Sequence, residues 1–295
     1  MNPSIDDPLQ AARAFKASMR AQWDSAAAGW NAHAEDLHAW LDRPTDAMCR
    51  LAGVTAGARV LDVAAGSGEQ TLTIAQRVGA QGHVLATDLS PTLVALARDN
   101  AARAGHAQVE ARVADGEDLG VPEASFDAAV CRLGLMFFPD PLQGLREMHR
   151  ALRPGGGACT MVFSRPEKNP CVTILMSTAL KHAALPPRDP CVPGGLLSLG
   201  QPGRLDALFR SAGFQDVATT ALDAVFRLPS VDHYLAFVRS SASPILQILG
   251  RLDASAAEAA WSEMRERLST FTTRQGWEGP NELLLTVGRR ARETT

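Results

Sequence analysis

Basic charge is in short supply in this chain of 295 residues: 29 Lys and Arg stand against 32 Asp and Glu, for a formal net charge of −3. Such a balance supplies no general attraction for phosphate backbones or anionic membranes, so neither nucleic acid nor a membrane is expected as a partner. Cysteine is scarce too. Cys49, Cys131, Cys159, Cys171 and Cys191 are scattered with no C-x-x-C spacing, which argues against a zinc knuckle or a disulfide framework and leads us to expect no metal. A reducing cytoplasm suits such thiols. No apolar run is long enough to span a bilayer, and the opening MNPSIDDPLQAARAFK carries acids and prolines where a signal peptide needs an apolar stretch. A soluble, cytoplasmic protein is the expectation.

What is present is a core-forming content of 46% hydrophobic residues, enough for one elaborated α/β domain. Residues 8–50 read as helical, with Trp23, Trp30 and Trp40 among Ala, His and acids. From residue 58 short apolar β-rich runs alternate with helical patterns, the signature of βαβ units on a parallel sheet. Strands are expected at 59–64, 83–88, 109–114, 126–131 and 158–163, with helices at 69–78, 91–103 and 142–152. Ser90 before Pro91, and Asp140 before Pro141, read as N-caps. After residue 163 the rhythm breaks. The expected organisation is a helical N-terminal cover at 1–50, an α/β core at 51–163 and an inserted cover at 164–202. A core helix and strand follow at 203–228, then an inserted helical lid at 229–279, and a final core strand and tail at 280–295.

In open parallel sheets, ligands sit at the carboxyl ends of the strands where strand order reverses. Here each of those exits carries polar residues. The first strand empties into Asp62-Val-Ala64-Ala-Gly66-Ser-Gly68, whose glycines allow a tight turn and a close ligand approach. Thr71 stands where the dinucleotide fingerprint G-x-G-x-x-G has its third glycine, which disfavours NAD. Asp62 before the loop attracts an ammonium and repels a pyrophosphate, so an amino-acid nucleoside is the ligand suggested. Asp88 ends the second strand 22 residues beyond Gly66, the spacing at which a carboxylate accepts from ribose hydroxyls. Asp115 and Gly116 at the third exit can serve the edge of a purine.

Together LDVAAGSG, TDLSP, ADGEDL, FDAAVCRLGLMFFPDP and REMHRALRPGG resemble class I S-adenosylmethionine (SAM)-dependent methyltransferases, most closely the ubiquinone/menaquinone biosynthesis methyltransferase-like group. The resemblance covers roughly residues 55–165 well and the rest loosely. It implies a doubly wound, Rossmann-like seven-stranded sheet whose last strand is antiparallel. It also implies SAM as cofactor, with Ala64, Gly66 and Gly68 beside the methionine moiety and Asp62 near its ammonium. Asp88 would hold the ribose, Leu89 would pack on adenine, Asp115 and Gly116 would read its edge, and the backbone near Cys131 and Arg132 would lie along the amino-acid end. Gln22-Trp-Asp-Ser-Ala-Ala-Ala-Gly-Trp30 resembles a family helix that folds over the cofactor.

No residue announces itself as catalytic. His33, His233 and Tyr234 lie in the covers expected to form the substrate pocket, and each also reads as an ordinary surface or packing residue. A sulfonium methyl group is already activated, so positioning alone accounts for much of the catalysis. The expected activity is methyl transfer to O, C or N of a small organic acceptor by in-line displacement, with homodimerisation left open. Three alternatives stand beside it: a SAM-binding cyclase or eliminase, a silent SAM-binding module, and an NAD-dependent oxidoreductase.

Overall fold

The computed structural model describes residues 8–292, so the outermost parts of the expected first and last segments, 1–7 and 293–295, lie outside the described residues. Two helices lead, α1 (Pro8–Ala32) and α2 (Ala34–Ala52). Strand and helix then alternate as β1 (Arg59–Val63), α3 (Glu69–Val78), β2 (His83–Asp88), α4 (Pro91–Arg103), β3 (Val109–Val113), β4 (Phe126–Arg132), α5 (Pro141–Ala151) and β5 (Leu152–Phe163). The two expected N-caps form as the chemistry requires. Ser90 Oγ accepts from the Leu93 amide at 3.1 Å, Asp140 accepts from the Gln143 amide at 3.1 Å, and each is followed by a proline that lacks a donor to waste.

Beyond β5 come α6 (Pro170–His182), α7 (Arg204–Ser211), β6 (Gln215–Asp223), β7 (Phe226–Leu228), α8 (Val231–Ser241), α9 (Ser243–Leu249), α10 (Ala254–Leu268), β8 (Thr272–Thr273), β9 (Gly276–Gly279) and β10 (Glu282–Arg289). The main sheet has seven strands in the order β3-β2-β1-β4-β5-β10-β6. β10 runs antiparallel to both β5 and β6, whereas β1 to β5 pair in parallel. Order reverses between β1 and β4, so the crevice for a ligand opens at their carboxyl ends.

Two differences from the sequence reading have local causes. The single strand expected over 217–228 is broken at Ala224, where the carbonyl accepts from Trp40 Nε1 at 2.8 Å and the amide donates to Asn281 at 2.8 Å. Those bonds end β6 and send β7 into a separate sheet of order β7-β9-β8. The helical insertion ends at Phe271, and the rest of the lid segment to 279 forms a hairpin of β8 and β9 that the sequence pattern does not announce. Trp277 anchors that hairpin: it is fully buried, and its indole donates to the Leu268 carbonyl at 2.8 Å. A large aromatic whose polar edge finds a helix-end acceptor costs little to bury.

The apolar core straddles the main sheet, while a second cluster around Leu235, Trp261, Met264 and Trp277 holds the covering helices together. Arg289, which closes β10, and Arg290 just after it secure the ends of two helices. Arg289 donates to the carbonyls of Leu51 (2.9 Å) and Ala52 (3.1 Å) at the end of α2. Arg290 donates to Arg150 (2.8 Å) and Leu152 (2.9 Å) at the end of α5. A cation there satisfies orphan carbonyls and complements the negative end of the helix dipole. Arg290→Ala is expected to lower unfolding free energy by roughly 1–3 kcal/mol, measured as a shift in the urea midpoint with an unchanged slope. An unchanged midpoint contradicts this capping role.

Candidate functional site

Four strand tips meet at the crevice. At the end of β1, Asp62 is completely buried, with Oδ1 accepting from Gln70 Nε2 at 3.0 Å and Oδ2 from Thr71 Oγ1 at 2.6 Å. Burial pushes its carboxyl from the ordinary 3.8 up to about 6, against the opposing pull of those two bonds and of the Arg132 charge. Thr71, which the sequence reading took only as a missing glycine, thus has a positive role: it fastens the first turn of α3 to the strand. Between them the backbone turns left-handed three times, at Ala64 (φ 55°), Gly66 (60°) and Gly68 (86°). Gly68 caps the start of α3, where a left-handed φ and a contact of only 3.0 Å between an added Cβ and Ala97 both disfavour a side chain.

Asp88 faces this turn from β2. Its Oδ2 accepts from the Gly66 amide and its Oδ1 from the Ser90 amide, each at 2.9 Å. Desolvation raises its pKa, and the amides of Ser90, Gly66 and Leu89 oppose that shift. The carboxylate is left with acceptor capacity for a further donor. Next to Asp88, Leu89 lines a cavity of about 390 Å³ together with Asp115 from the end of β3 and Arg13, Lys16, Arg20 and Asp24 from α1. Asp115 Oδ1 accepts from the Glu117 amide at 2.9 Å, while Oδ2 pairs with Lys16 Nζ at 2.6 Å. Gly116 has a packing reason to lack a side chain, because a Cβ would lie 2.2 Å from the Phe138 ring.

At the β4 exit, Leu133 is also left-handed (φ 55°), and Gly134 abuts Ala64 so tightly that a Cβ would stand 2.4 Å from the alanine methyl. Cys131 is sealed inside, its thiol pushed up to about 12 by burial. The guanidinium of Arg132 is buried against α2 and α3, paired with Glu69 and donating to Thr45 Oγ1 at 2.9 Å. The second Glu69 oxygen meets His38 Nδ1 at 2.7 Å.

Helix α1 lies along this edge. The Trp30 indole nitrogen is 3.6 Å from where a Gly66 Cβ would be. Asp24 accepts from Ser90 Oγ at 2.5 Å, and Asn31 accepts from Asn100 at 2.8 Å. Trp30 and His33 both pack on Phe237 of α8, at 5.7 and 5.3 Å between ring centroids, and Asp36 engages His33 Nδ1 at 3.0 Å. The other two catalytic candidates lie elsewhere on α8. His233 is exposed and bonded to Ser230 Oγ at 3.0 Å. Tyr234 is buried, stacked on Trp277 at 4.4 Å, with burial raising its hydroxyl pKa well above the ordinary value.

The structure therefore gathers Asp62, Ala64, Gly66, Gly68, Asp88, Leu89, Asp115, Gly116, Cys131 and Arg132 around the strand tips, with His33 packed against Phe237 of α8. It adds Lys16, Asp24, Glu69, Gln70 and Thr71, which the sequence reading did not assign to the site. Gln70 and Thr71 were in reach, as polar residues on the first turn of the helix after a strand-end acid. No group of three or more metal-ligating side chains occurs among the described residues, and none of their helices is long and apolar enough to cross a membrane.

Residues 60–156 match a family model described as a methyltransferase domain. Over 122 residues the chain is 38% identical to the ubiquinone/menaquinone biosynthesis C-methyltransferase UbiE of Hahella chejuensis, spanning 41% of this chain and 49% of that one. It is 34% identical over 117 residues to a demethylmenaquinone methyltransferase of Listeria monocytogenes, 40% of this chain and 49% of that protein. The chain thus spans about half the length of the curated relatives it matches. Among solved structures, the YcgJ protein of Bacillus subtilis superposes with a TM-score of 0.57 at 19% identity, covering 86% of this chain and all of that one. The [4+2]-cyclase SpnF does so with a TM-score of 0.53 at 22% identity, covering 85% and 82%. These likenesses show the class I methyltransferase fold.

Removing the charge of Asp62 tests how the site stores energy. Because the folded carboxyl holds its proton more tightly than the unfolded one, its contribution is favourable below about pH 4 and is lost as pH rises through about 6. Asp62→Asn is expected to stabilise the ligand-free protein at pH 7.5 by up to about 3 kcal/mol, with the gain shrinking toward pH 4. Thermal melts across that range measure it, and a gain independent of pH contradicts it.

Proposed function

We propose that this chain is a SAM-dependent methyltransferase that transfers a methyl group to an O, C or N atom of a small organic acceptor. The observation that carries this reading is the ordered set at the strand tips: a bare-faced glycine turn under Trp30, a carboxylate on β2 with acceptor capacity to spare, and the cavity between Leu89 and Asp115. Those features suit an amino-acid nucleoside. They do not suit a dinucleotide, because Asp62 stands before the loop and Thr71 replaces the third glycine of the dinucleotide turn.

With the cofactor bound, the sulfonium supplies a methyl group already activated for displacement. Asp88 would then accept from the ribose hydroxyls, Leu89 would pack on the base, and Asp115 would accept from its exocyclic amine. Trp30, resting on Gly66, and Phe237 behind it exclude water from the reacting side. The imidazole of His33, oriented by Asp36, is the candidate placed to take a proton from an acceptor hydroxyl, and positioning supplies the rest of the barrier reduction. The aromatic row formed by Trp30, Phe237, Phe226 and Trp40, with contacts of 5.7, 5.7 and 4.7 Å, favours a flat, apolar acceptor. The quinone methyltransferases among the relatives point to the same class of molecule.

Calorimetric titration separates this reading from the oxidoreductase alternative. S-Adenosylhomocysteine is expected to bind and NADH not, and Asp88→Ala is expected to weaken the sulfide by at least about tenfold. Incubation with a methyl-labelled donor and a panel of hydroquinones and phenols should then yield labelled product. Binding of NADH in preference to the sulfide contradicts the proposal, as does binding with no transfer to any of the panel.

A further inference from the structure

We infer that Lys16 is a positioning residue of the adenine subsite, whose ammonium bridges the carboxylates of Asp115 and Glu117, offsets part of their charge and thereby couples the docking of α1 to occupancy by a neutral purine nucleoside. This rests on the reading above that the strand tips hold such a nucleoside, and it adds a residue from a segment 99 positions away in the chain.

Lys16 Nζ lies 2.6 Å from Asp115 Oδ2 and 2.6 Å from Glu117 Oε2. The three side chains are only 23%, 32% and 11% exposed. Burial pulls the ammonium's pKa down, but the hydrogen bonds and charges of the two acids outweigh it and hold the group above its ordinary 10.5. Lys16 is therefore charged throughout the physiological range. Lys16, Asp115 and Leu89 line the same cavity, so a base packed on Leu89 would displace water from this cluster.

That displacement decides the role. An uncharged base offers the exocyclic amine as a donor to Asp115 but brings no charge to offset two carboxylates held together. Stripping water from two like charges is costly unless a counter-charge stays with them. Lys16 is that counter-charge, and it arrives only with α1. The other attachments of this helix along the crevice, Asp24 to Ser90 and Trp30 over Gly66, bring no positive charge to the pair. The lysine is thus the point at which helix docking and base binding share one electrostatic requirement. Arg13 and Arg20, on the same helix face, provide tryptic sites that report whether α1 is docked.

The test compares the wild-type protein with Lys16→Met and Lys16→Arg, using S-adenosylhomocysteine as probe. Lys16→Met is expected to bind about five- to tenfold more weakly at 50 mM salt, and Lys16→Arg to return to within about twofold of wild type. Raising salt should weaken the wild type and Lys16→Arg more than Lys16→Met, because only they retain the pair to be screened. Saturating sulfide should slow tryptic cleavage at Arg13 and Arg20 in wild type and Lys16→Arg, and do so less in Lys16→Met. Equal affinity of wild type and Lys16→Met overturns the inference while leaving the proposed function intact. Failure of Lys16→Arg to recover also overturns it. Absence of binding by the wild type overturns the function itself.

Discussion

A carboxyl group without exposed surface sits at the tip of the first strand, and the shape of the ligand-side edge follows from how its two oxygens are satisfied. Gln70 and Thr71 supply the donors from the first turn of α3, so the chain between Asp62 and Glu69 must close a short arc and return to the same point. That arc is the glycine turn. Its amide at Gly66 reaches Asp88 on the neighbouring strand, which ties β1, α3 and β2 into one unit. A buried carboxylate left without such donors would cost several kcal/mol by order of magnitude. The hydrogen bonds are therefore a condition for having the charge there at all.

The same closure stores strain. Ala64 and Leu133 both adopt left-handed backbone angles at adjacent strand tips, a conformation that costs a residue with a Cβ about 1–2 kcal/mol. Gly134 makes the arrangement feasible, since only a residue without a side chain fits against the Ala64 methyl. Strain of this kind gathers where a surrounding framework over-determines the backbone, and functional sites are where it is usually found. Here the framework is the buried core of the sheet beneath and the Asp62 anchor behind. The covering helices α6, α8, α9 and α10 pack in a second, largely separate cluster, while α2 belongs to the core of the sheet.

Much of the sheet was legible because each element obeys local rules. Ser90-Pro91 and Asp140-Pro141 announce helix starts, and α3 and α4 lie where the pattern put them. The antiparallel last strand was implied by family resemblance, not by any property of Glu282–Arg289 itself. Strand-end acids were legible as a set because their spacing is regular. What escaped the sequence depends on contacts made by distant residues. Nothing near Ala224 says that Trp40 will end the strand, nothing near Lys16 names Asp115, and a left-handed leucine carries no sequence signature. Thr71 was read for what it lacks, and its hydrogen bond to Asp62 shows what it does.

The central claim is that these tips hold an amino-acid nucleoside in one orientation, with ribose on Asp88 and the methionine portion over Gly66. A crystal structure of the protein with S-adenosylhomocysteine tests it most directly. The account predicts both ribose hydroxyls within hydrogen-bonding distance of Asp88, the base between Leu89 and Asp115, and the homocysteine chain crossing the glycine turn beneath Trp30. Density for the ligand in the reverse orientation, or bound away from Asp88 with the glycine turn uncontacted, would contradict it.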